Sequence, residues 1–518
     1  MASSSKTKTP TFLPHSESKK IEDRPSLVRD SIAAGVIFAL VMTVGQRAIG
    51  FVRGLLFCRY MTEQQLGQWS LTFSFLMMLV PLAMLGLPGC FGRFSEHYRS
   101  RGQLGYFVSR IAATSIFLTL LASVSMFIFP GWFANMLFCD AGQTGVIYAM
   151  AFCVLMVSVS NFLTSLMESL RLVRVVTMMR FVTGTLFATL GLGLVLLTND
   201  AAVGATIGFG LSCFLGAIPA MWILFRHPEE LKNTGEHLPH SDMWRRLAPF
   251  ALWMWASNFF NNCFELSDRY MLVWCSPVTV EQAQGLVGQY HSGRQIPLLL
   301  VSLSFMLGGV LIPYMSTHWE KGNKDAAHKL LTWSLKLMSL AFTMVGVGVL
   351  VVAPFIFETI LEGRYTEGLE VLPLAMAYCI WFGLTCVGQN YLWVAEKGKW
   401  IALSVGIGLL SNLVLNALLI PQYGVWGAVS ATATSNALLL ATIYVLNHLF
   451  GCKTNASIWY CSAIPLLLLL PTPLAAALGL VVAFLGWQTN LFFQSEEKAE
   501  IGVLLHKMMQ KVGIGNAG

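Results

Sequence analysis

The chain of 518 residues is 55% hydrophobic and only 11% charged, where a soluble protein carries about 25% charged residues. This composition is that of an integral membrane protein and excludes a soluble enzyme with a few anchors, because apolar runs fill nearly the whole chain. The formal charge of +7 points to nucleic acid only where basic residues cluster on a soluble face, and here they lie between apolar segments.

Residues 1–28 form a polar tail, too hydrophilic for a signal peptide and expected to be disordered and cytoplasmic. Crossing about 30 Å of hydrocarbon takes roughly 20 apolar helical residues. Counted so, segments 31–57, 69–87, 106–129, 145–166, 181–197 and 202–224 are the first six spans, and 247–274, 286–314, 330–352, 369–394, 400–420 and 424–446 the next six. Segments 458–470 and 473–492, separated by Pro471-Thr472-Pro473, are a closing pair. The expected fold class is an all-α polytopic membrane protein of about 14 transmembrane helices. It divides into six-helix bundles at 29–225 and 247–449, a cytoplasmic linker at 226–246, an extra helix pair at 457–493 and a cytoplasmic tail at 494–518.

Loop charges test the count, because cytoplasmic loops hold the Lys and Arg. Of the 33 basic residues, 26 fall in the tails and alternate loops of one side, while the opposite loops hold only Arg59 and Arg364. Both termini are therefore expected in the cytoplasm, and the chain in the inner (cytoplasmic) membrane. Loops of at most about 22 residues leave no room for an external catalytic domain, so the function lies within the membrane and an enzyme is not expected. A weak internal repeat agrees with paired halves: Ala202-Val203-Gly204-Ala205 opens the sixth span and Val425-Trp426-Gly427-Ala428 the twelfth. The eleven Cys form no CxxC pair or Cys/His pattern, so no metal framework is expected.

Ionisable residues within spans cost several kcal/mol unless they face a cavity or a partner, so each is a functional candidate. At 1.5 Å per residue from Ser31, Arg47 lies roughly 24 Å into the first span and Arg53 near its outer edge. The seventh span carries Asn258, Asn261, Asn262, Glu265, Asp268 and Arg269 at steps of three and four, one polar stripe on a helix of Trp, Phe, Leu and Met. In the eighth, Arg294 lies about 12 Å below the outer surface, with His291 one turn above. A Glu265–Arg269 pair one turn apart neutralises itself, and Arg53 can snorkel to the interface. Otherwise four Arg against two carboxylates make a net positive cavity. Arg suits a phosphate or diphosphate because its planar fork donates two hydrogen bonds and keeps its charge. Glu265 or Asp268 is the candidate to bind a coupling H+ or Na+. Asn412, Asn416 and Asn436 read as interhelical hydrogen bonds.

The runs GQRAIGFVRGLLFCRYMTEQQLGQWSL (from Gly45), EGRYTEGLEVLPLAMAYCIWFGLTCVGQNYLWVAEKGKW and NLVLNALLIPQYGVWGAVSATATSNALLL resemble the multidrug/oligosaccharidyl-lipid/polysaccharide (MOP) exporter superfamily, in its bacterial polysaccharide (O-antigen-type) flippase branch. The resemblance covers about residues 31–450. It implies two six-helix bundles in a V that alternate between inward- and outward-open states. Related lipid II flippases carry R-x-L-G-F-x-R-D in the first helix, where Arg47 and Arg53 match, and an Arg in the eighth, as Arg294; there these arginines contact a diphosphate. Gly54 and Gly293 replace acidic residues of that pattern, which points the cargo away from lipid II.

The resemblance and the cavity together lead to the expectation of a flippase moving a polyprenyl-diphosphate-linked oligosaccharide to the outer leaflet. Arg47, Arg53, Arg269 and Arg294 would bind the diphosphate, and Asn258, Asn261 and Asn262 the sugars. The expected partners are this lipid-linked glycan, membrane lipids and polysaccharide polymerase or export machinery, with no nucleic acid and a monomeric state. With no G-x-x-x-x-G-K-[ST] run, energy comes from an ion gradient, the membrane potential or downstream consumption. The alternative is a cation-coupled drug or metabolite antiporter, which needs an acidic cavity; a lipid II flippase and a membrane glycan polymerase rank lower.

Overall fold

The computed structural model describes residues 32–236, 239–452 and 456–488, which are almost wholly helical, with no strand among them. The expected tails at 1–28 and 494–518 lie outside the described residues.

The first lobe comprises α1 (Ile32–Tyr60), α2 (Glu63–Ala83), α3 (Phe91–Ser100), α4 (Leu104–Ile128), α5 (Pro130–Phe138), α6 (Thr144–Ser169), α7 (Val173–Leu186), α8 (Leu192–Leu197), α9 (Ala201–Gly216) and α10 (Ile218–Arg226). A π-helical turn, Phe187–Gly191, joins α7 and α8 into one span. The second lobe comprises α11 (His240–Cys275), α12 (Val280–Arg294), α13 (Pro297–Glu320), α14 (Lys324–Phe355), α15 (Thr366–Glu370), α16 (Leu372–Gly388), α17 (Asn390–Val394) and α18 (Gly398–Leu449). Then α19 (Ala456–Ala463) and α20 (Thr472–Gln488) pack on its back, where Ser339 donates to Cys461 O (2.6 Å) and Trp381 to Ser462 O (2.8 Å).

Among the described residues, ten helices are long and apolar enough to cross a membrane. One of them, α18, supplies two spans. Residues 20 apart on a straight helix lie about 30 Å apart, yet Asn412 Nδ2 and Thr432 Oγ1 are 3.2 Å apart. The chain folds back at Gly424, whose φ of 53° and ψ of −123° suit only glycine, three residues after Pro421. Helix α11 is long enough to cross, but its Asn and charged residues lower its hydropathy and keep it off that count.

Helices α2 and α12 each begin six residues before the apolar run, because a capping box starts them. Gln65 N donates to Thr62 Oγ1 (3.2 Å) and Thr62 N to Gln65 Oε1 (3.1 Å); Thr279 and Gln282 repeat the pattern. The box satisfies amides that no earlier turn accepts, and polar first turns are invisible to a hydropathy window. The short helices α3 and α5, expected as loops, also escaped it.

The repeat seen in sequence has a packing cause. A Cβ on Gly204 would lie 2.6 Å from Leu194 O, and one on Gly427 2.4 Å from Leu419 O. In each lobe a glycine therefore lets the last helix turn back tightly on the one before it. The linker is bound to the first lobe: Thr234 N and Gly235 N donate to Gly102 O (2.9 and 3.0 Å), and Tyr106 N to Asn233 Oδ1 (2.8 Å). Met243, Leu247 and Ala251 of α11 continue into the first lobe's core with Phe107 and Leu166, whereas later turns of α11 pack on α18.

Candidate substrate cavity between the lobes

At one end the lobes are zipped together where α2 crosses α12. A Cβ on Gly67 would lie 1.8 Å from Gln284 O, and one on Gly288 2.1 Å from Glu63 O, so both backbones touch through glycine. Gln64 and Gln68 Nε2 donate to Gln284 Oε1 (3.3 and 2.9 Å), and Tyr270 OH to Leu71 O (3.1 Å). The EGRYTEG loop latches the same end. Left-handed backbone at Glu362 and Gly363 turns Arg364 back, so that its Nη2 donates to Arg59 O (2.6 Å), while Tyr365 OH donates to Met61 O (3.3 Å).

Beneath this closed end lies a cavity of about 330 Å³ between the lobes. Helix α1 contributes Arg47 and Arg53, α2 contributes Ser70 and Ser74, α11 contributes Asn262 and Arg269, and His291 and Gln295 follow from α12 and its end. Arg53 lies 4.2 Å from the Phe187 ring centroid, packed inward against the first lobe. Arg269, 6% exposed, donates to Ser74 Oγ. His291 Nδ1 is 3.0 Å from Ser70 Oγ, and its Nε2 is 2.5 Å from the Gln295 amide nitrogen. No carboxylate occurs among the described lining residues, so three guanidinium groups and an imidazole face a space that suits an anion.

Arg294 is placed elsewhere than expected. It is 8% exposed, its guanidinium 5.2 Å from the Tyr290 ring and 6.0 Å from that of Tyr378, inside the second lobe rather than on the cavity wall. Asp268 also turns away. Only 2% exposed, its carboxylate accepts from Asn412 (3.0 Å) and Asn416 (2.8 Å) on one oxygen and from Thr432 (2.6 Å) and Tyr290 on the other. It thus ties α11 to α12 and both arms of α18, so Asp268 lies within the second lobe and not, as the sequence suggested, among the charges of the cavity. Neighbours on a helix point about 100° apart, so Arg269 and Asp268 face different lobes. Asn258, Asn261 and Glu265 belong to α11, but their side chains lie outside the described residues.

Ser70, Ser74 and Gln295 escaped the sequence reading, and His291 was noted there only for its depth in the span. A signal for the serines was their four-residue spacing on one face of α2, and for His291 and Gln295 a second polar step beside Arg294. The glycines that depart from the acidic pattern have local causes: a Cβ on Gly293 would meet Gly368 O at 2.7 Å, and one on Gly54 would meet Gln295 Oε1 at 2.6 Å.

A family model described as Polysaccharide biosynthesis protein matches residues 32–319. An uncharacterised membrane protein of Methanocaldococcus jannaschii is 22% identical over 458 residues, covering 81% of this chain and 85% of that protein. The uncharacterised membrane protein YabM of Bacillus subtilis is 28% identical over 158 residues, 30% of this chain and 29% of YabM. The lipid II flippase MurJ of Bacillus subtilis is 25% identical over 210 residues, 39% of this chain and 37% of that one. The chain thus spans about a third of the length of the two Bacillus relatives it matches. Among solved structures, the fold is similar to lipid II flippase MurJ in an inward closed conformation, with a TM-score of 0.67, 14% identity and 87% and 97% of the two chains covered. It is also similar to a multidrug resistance MATE family transporter of the MOP superfamily, with a TM-score of 0.66 to the inward-facing conformation (10% identity; 82% and 98% covered) and 0.52 to an outward-facing one (11% identity; 82% and 95% covered). The MOP resemblance and the all-α multi-span fold expected from sequence are both met.

Proposed function

Because the chain belongs to the polysaccharide biosynthesis protein family, a membrane flippase or transporter type, we propose that it carries a polyprenyl-diphosphate-linked oligosaccharide from the cytoplasmic to the outer leaflet. The observation that carries this reading is the cavity between the lobes, with Arg47, Arg53 and Arg269 on its wall and no described carboxylate. A diphosphate and many hydroxyls cannot cross hydrocarbon unaided; in the cavity, guanidinium forks replace the water around the phosphates while the polyprenyl chain stays in lipid. Asn262 and Gln46, beside the arginines, are the amide groups offered to the first sugar. Released glycan passes to polysaccharide polymerase or export machinery, and a monomer with both termini in the cytoplasm suffices.

The loop charges make the zipped end the outer one, so the state described is closed to the outside, a reading supported by the greater likeness to the inward-facing transporter. We assign the coupling ion, H+ or Na+, to Asp268. Its carboxylate is buried and accepts from Asn416 Nδ2 (2.8 Å), whose own Oδ1 finds no hydrogen-bond partner among the described residues, so an oxygen ligand for a cation is at hand. An ion there changes how α11, α12 and both arms of α18 are held together, which is how the charge of one group reaches the packing of a lobe.

Thermal unfolding of the purified protein tests the cargo class. Geranylgeranyl diphosphate should raise the Tm, by about 2.7 kcal/mol of stabilisation at 100 times its Kd, and Arg53→Ala or Arg269→Ala should remove most of that shift. Stabilisation by lipophilic cations with none by the diphosphate would instead make the protein a cationic-drug antiporter.

A further inference from the structure

We infer that His291 takes up a proton when the anionic cargo binds, so that the imidazole becomes the fourth cationic group of the cavity only while cargo is present. The inference rests on the diphosphate reading of the cavity. His291 lines the cavity wall from α12. Arg53 and Arg47 from α1 and Arg269 from α11 line the cavity with it, while Arg294 of its own helix lies in the second lobe against the Tyr290 ring. Helix α2 offers it only the hydroxyls of Ser70 and Ser74. The phenols of Tyr290 and Tyr378 and the carboxylate of Asp268 lie behind it in the second lobe, the last already accepting four hydrogen bonds.

Among the described residues that line the cavity with the ring, the charged groups are guanidiniums. A bound diphosphate reverses the sign of the local field and favours imidazolium. Proton and anion then bind with positive coupling, and by linkage each strengthens the other.

The hydrogen bonds allow both states. In the neutral ring Nε2 accepts from the Gln295 amide nitrogen and Nδ1–H donates to Ser70 Oγ. In the charged ring Nε2–H needs an acceptor, which a half-turn of the Gln295 amide supplies through its oxygen. The amide is packed against Gly54, where a Cβ would meet Oε1 at 2.6 Å, so glycine at 54 leaves the amide room to turn. A proton carried with the cargo also lowers the net charge that crosses the membrane, and with it the push of about 2.3 kcal/mol per charge from each 100 mV of potential.

Calorimetric titration of the full chain in detergent with inorganic pyrophosphate, in two buffers of different ionisation enthalpy, counts the protons taken up. Wild type should bind up to one more proton per pyrophosphate than His291→Gln. Its affinity should rise by as much as tenfold per pH unit as pH falls from about 8 to 6, with a flatter profile in the variant. His291→Lys, charged throughout, should bind tightly without the extra proton, and it answers the same question if His291→Gln does not fold. Equal proton counts and equal pH profiles in wild type and variants would overturn the inference while leaving the arginine cavity intact. Pyrophosphate that failed to bind wild type at all would bring down the cavity reading and this inference with it.

Discussion

Substituting Gly67→Ala tests whether the α2–α12 crossing is the element that closes one end. The added methyl would start 1.8 Å from Gln284 O and 2.8 Å from its carbonyl carbon, closer than the 3.0 Å at which real Cβ contacts essentially cease. The helices must separate by at least the difference, 1.2 Å, and since the obstacle is backbone rather than a flexible side chain, only a shift of a whole helix relieves it. Overpacking of this kind costs about 1–3 kcal/mol, which moves the closed-to-open ratio about 5- to 150-fold. The assay is modification of Met77→Cys, on the cavity wall, by a membrane-impermeant maleimide added from outside right-side-out vesicles, read from the mass of the peptide containing position 77. Gly67→Ala should raise the rate at least fivefold. The control Gly406→Ala, where a Cβ meets nothing within 4 Å, should leave it unchanged. A Gly67→Ala protein with wild-type labelling and wild-type Tm would refute the reasoning, because it would mean that α2 and α12 do not touch as described.

Two further outcomes follow from the second lobe and the closed end. Interhelical hydrogen bonds in membrane proteins average about 0.6 kcal/mol each; Asp268 accepts four, so Asp268→Ala should cost about 2.4 kcal/mol in thermal unfolding and make cargo transport indifferent to H+ and Na+ gradients, whereas transport that still follows either gradient removes Asp268 as the ion site. Burial, then Glu370 and Glu63, hold the Glu367 carboxyl above its ordinary value of 4.5. A carboxyl raised in the folded state favours folding while protonated, so its contribution is present in full below pH 4.5 and is lost as pH rises through the raised value. Glu367→Gln should therefore flatten the fall in Tm above that pH, and an unchanged Tm–pH profile would contradict the placement of Glu367 between the other two acids.

The spans were legible because roughly 20 apolar residues have few other fates, and the two close helix turns at Gly204 and Gly427 left a matching trace in the sequence. Which way a polar residue faces was less legible. Asp268 and Arg269 are adjacent in one polar stripe, yet one rotation step places the first in the second lobe's hydrogen-bond network and the second on the cavity wall. Arg294 shares its fate with Asp268 because the rings of Tyr290 and Tyr378 offer its guanidinium a face inside the lobe. The crossing at Gly67 and Gly288 also has a sequence trace, Leu66-Gly67-Gln68-Trp69 against Val287-Gly288-Gln289-Tyr290. Similar but unlike residues hide it from a search for identities, and only the mutual approach of the two backbones shows that it is a contact. The latch at Arg364 was unreadable for a different reason: its acceptors are backbone carbonyls of Arg59 and Met61, which no side-chain pattern announces.

The most direct test of the central claim is leaflet transfer in proteoliposomes of a fluorescent polyprenyl-diphosphate-linked oligosaccharide, scored by quenching from outside. Intact protein should move it, and the Arg53→Ala, Arg269→Ala double variant, checked for an unchanged fold by Tm, should lose nearly all transfer. Transfer at the wild-type rate by the double variant would contradict an arginine-lined cavity as the path of the diphosphate.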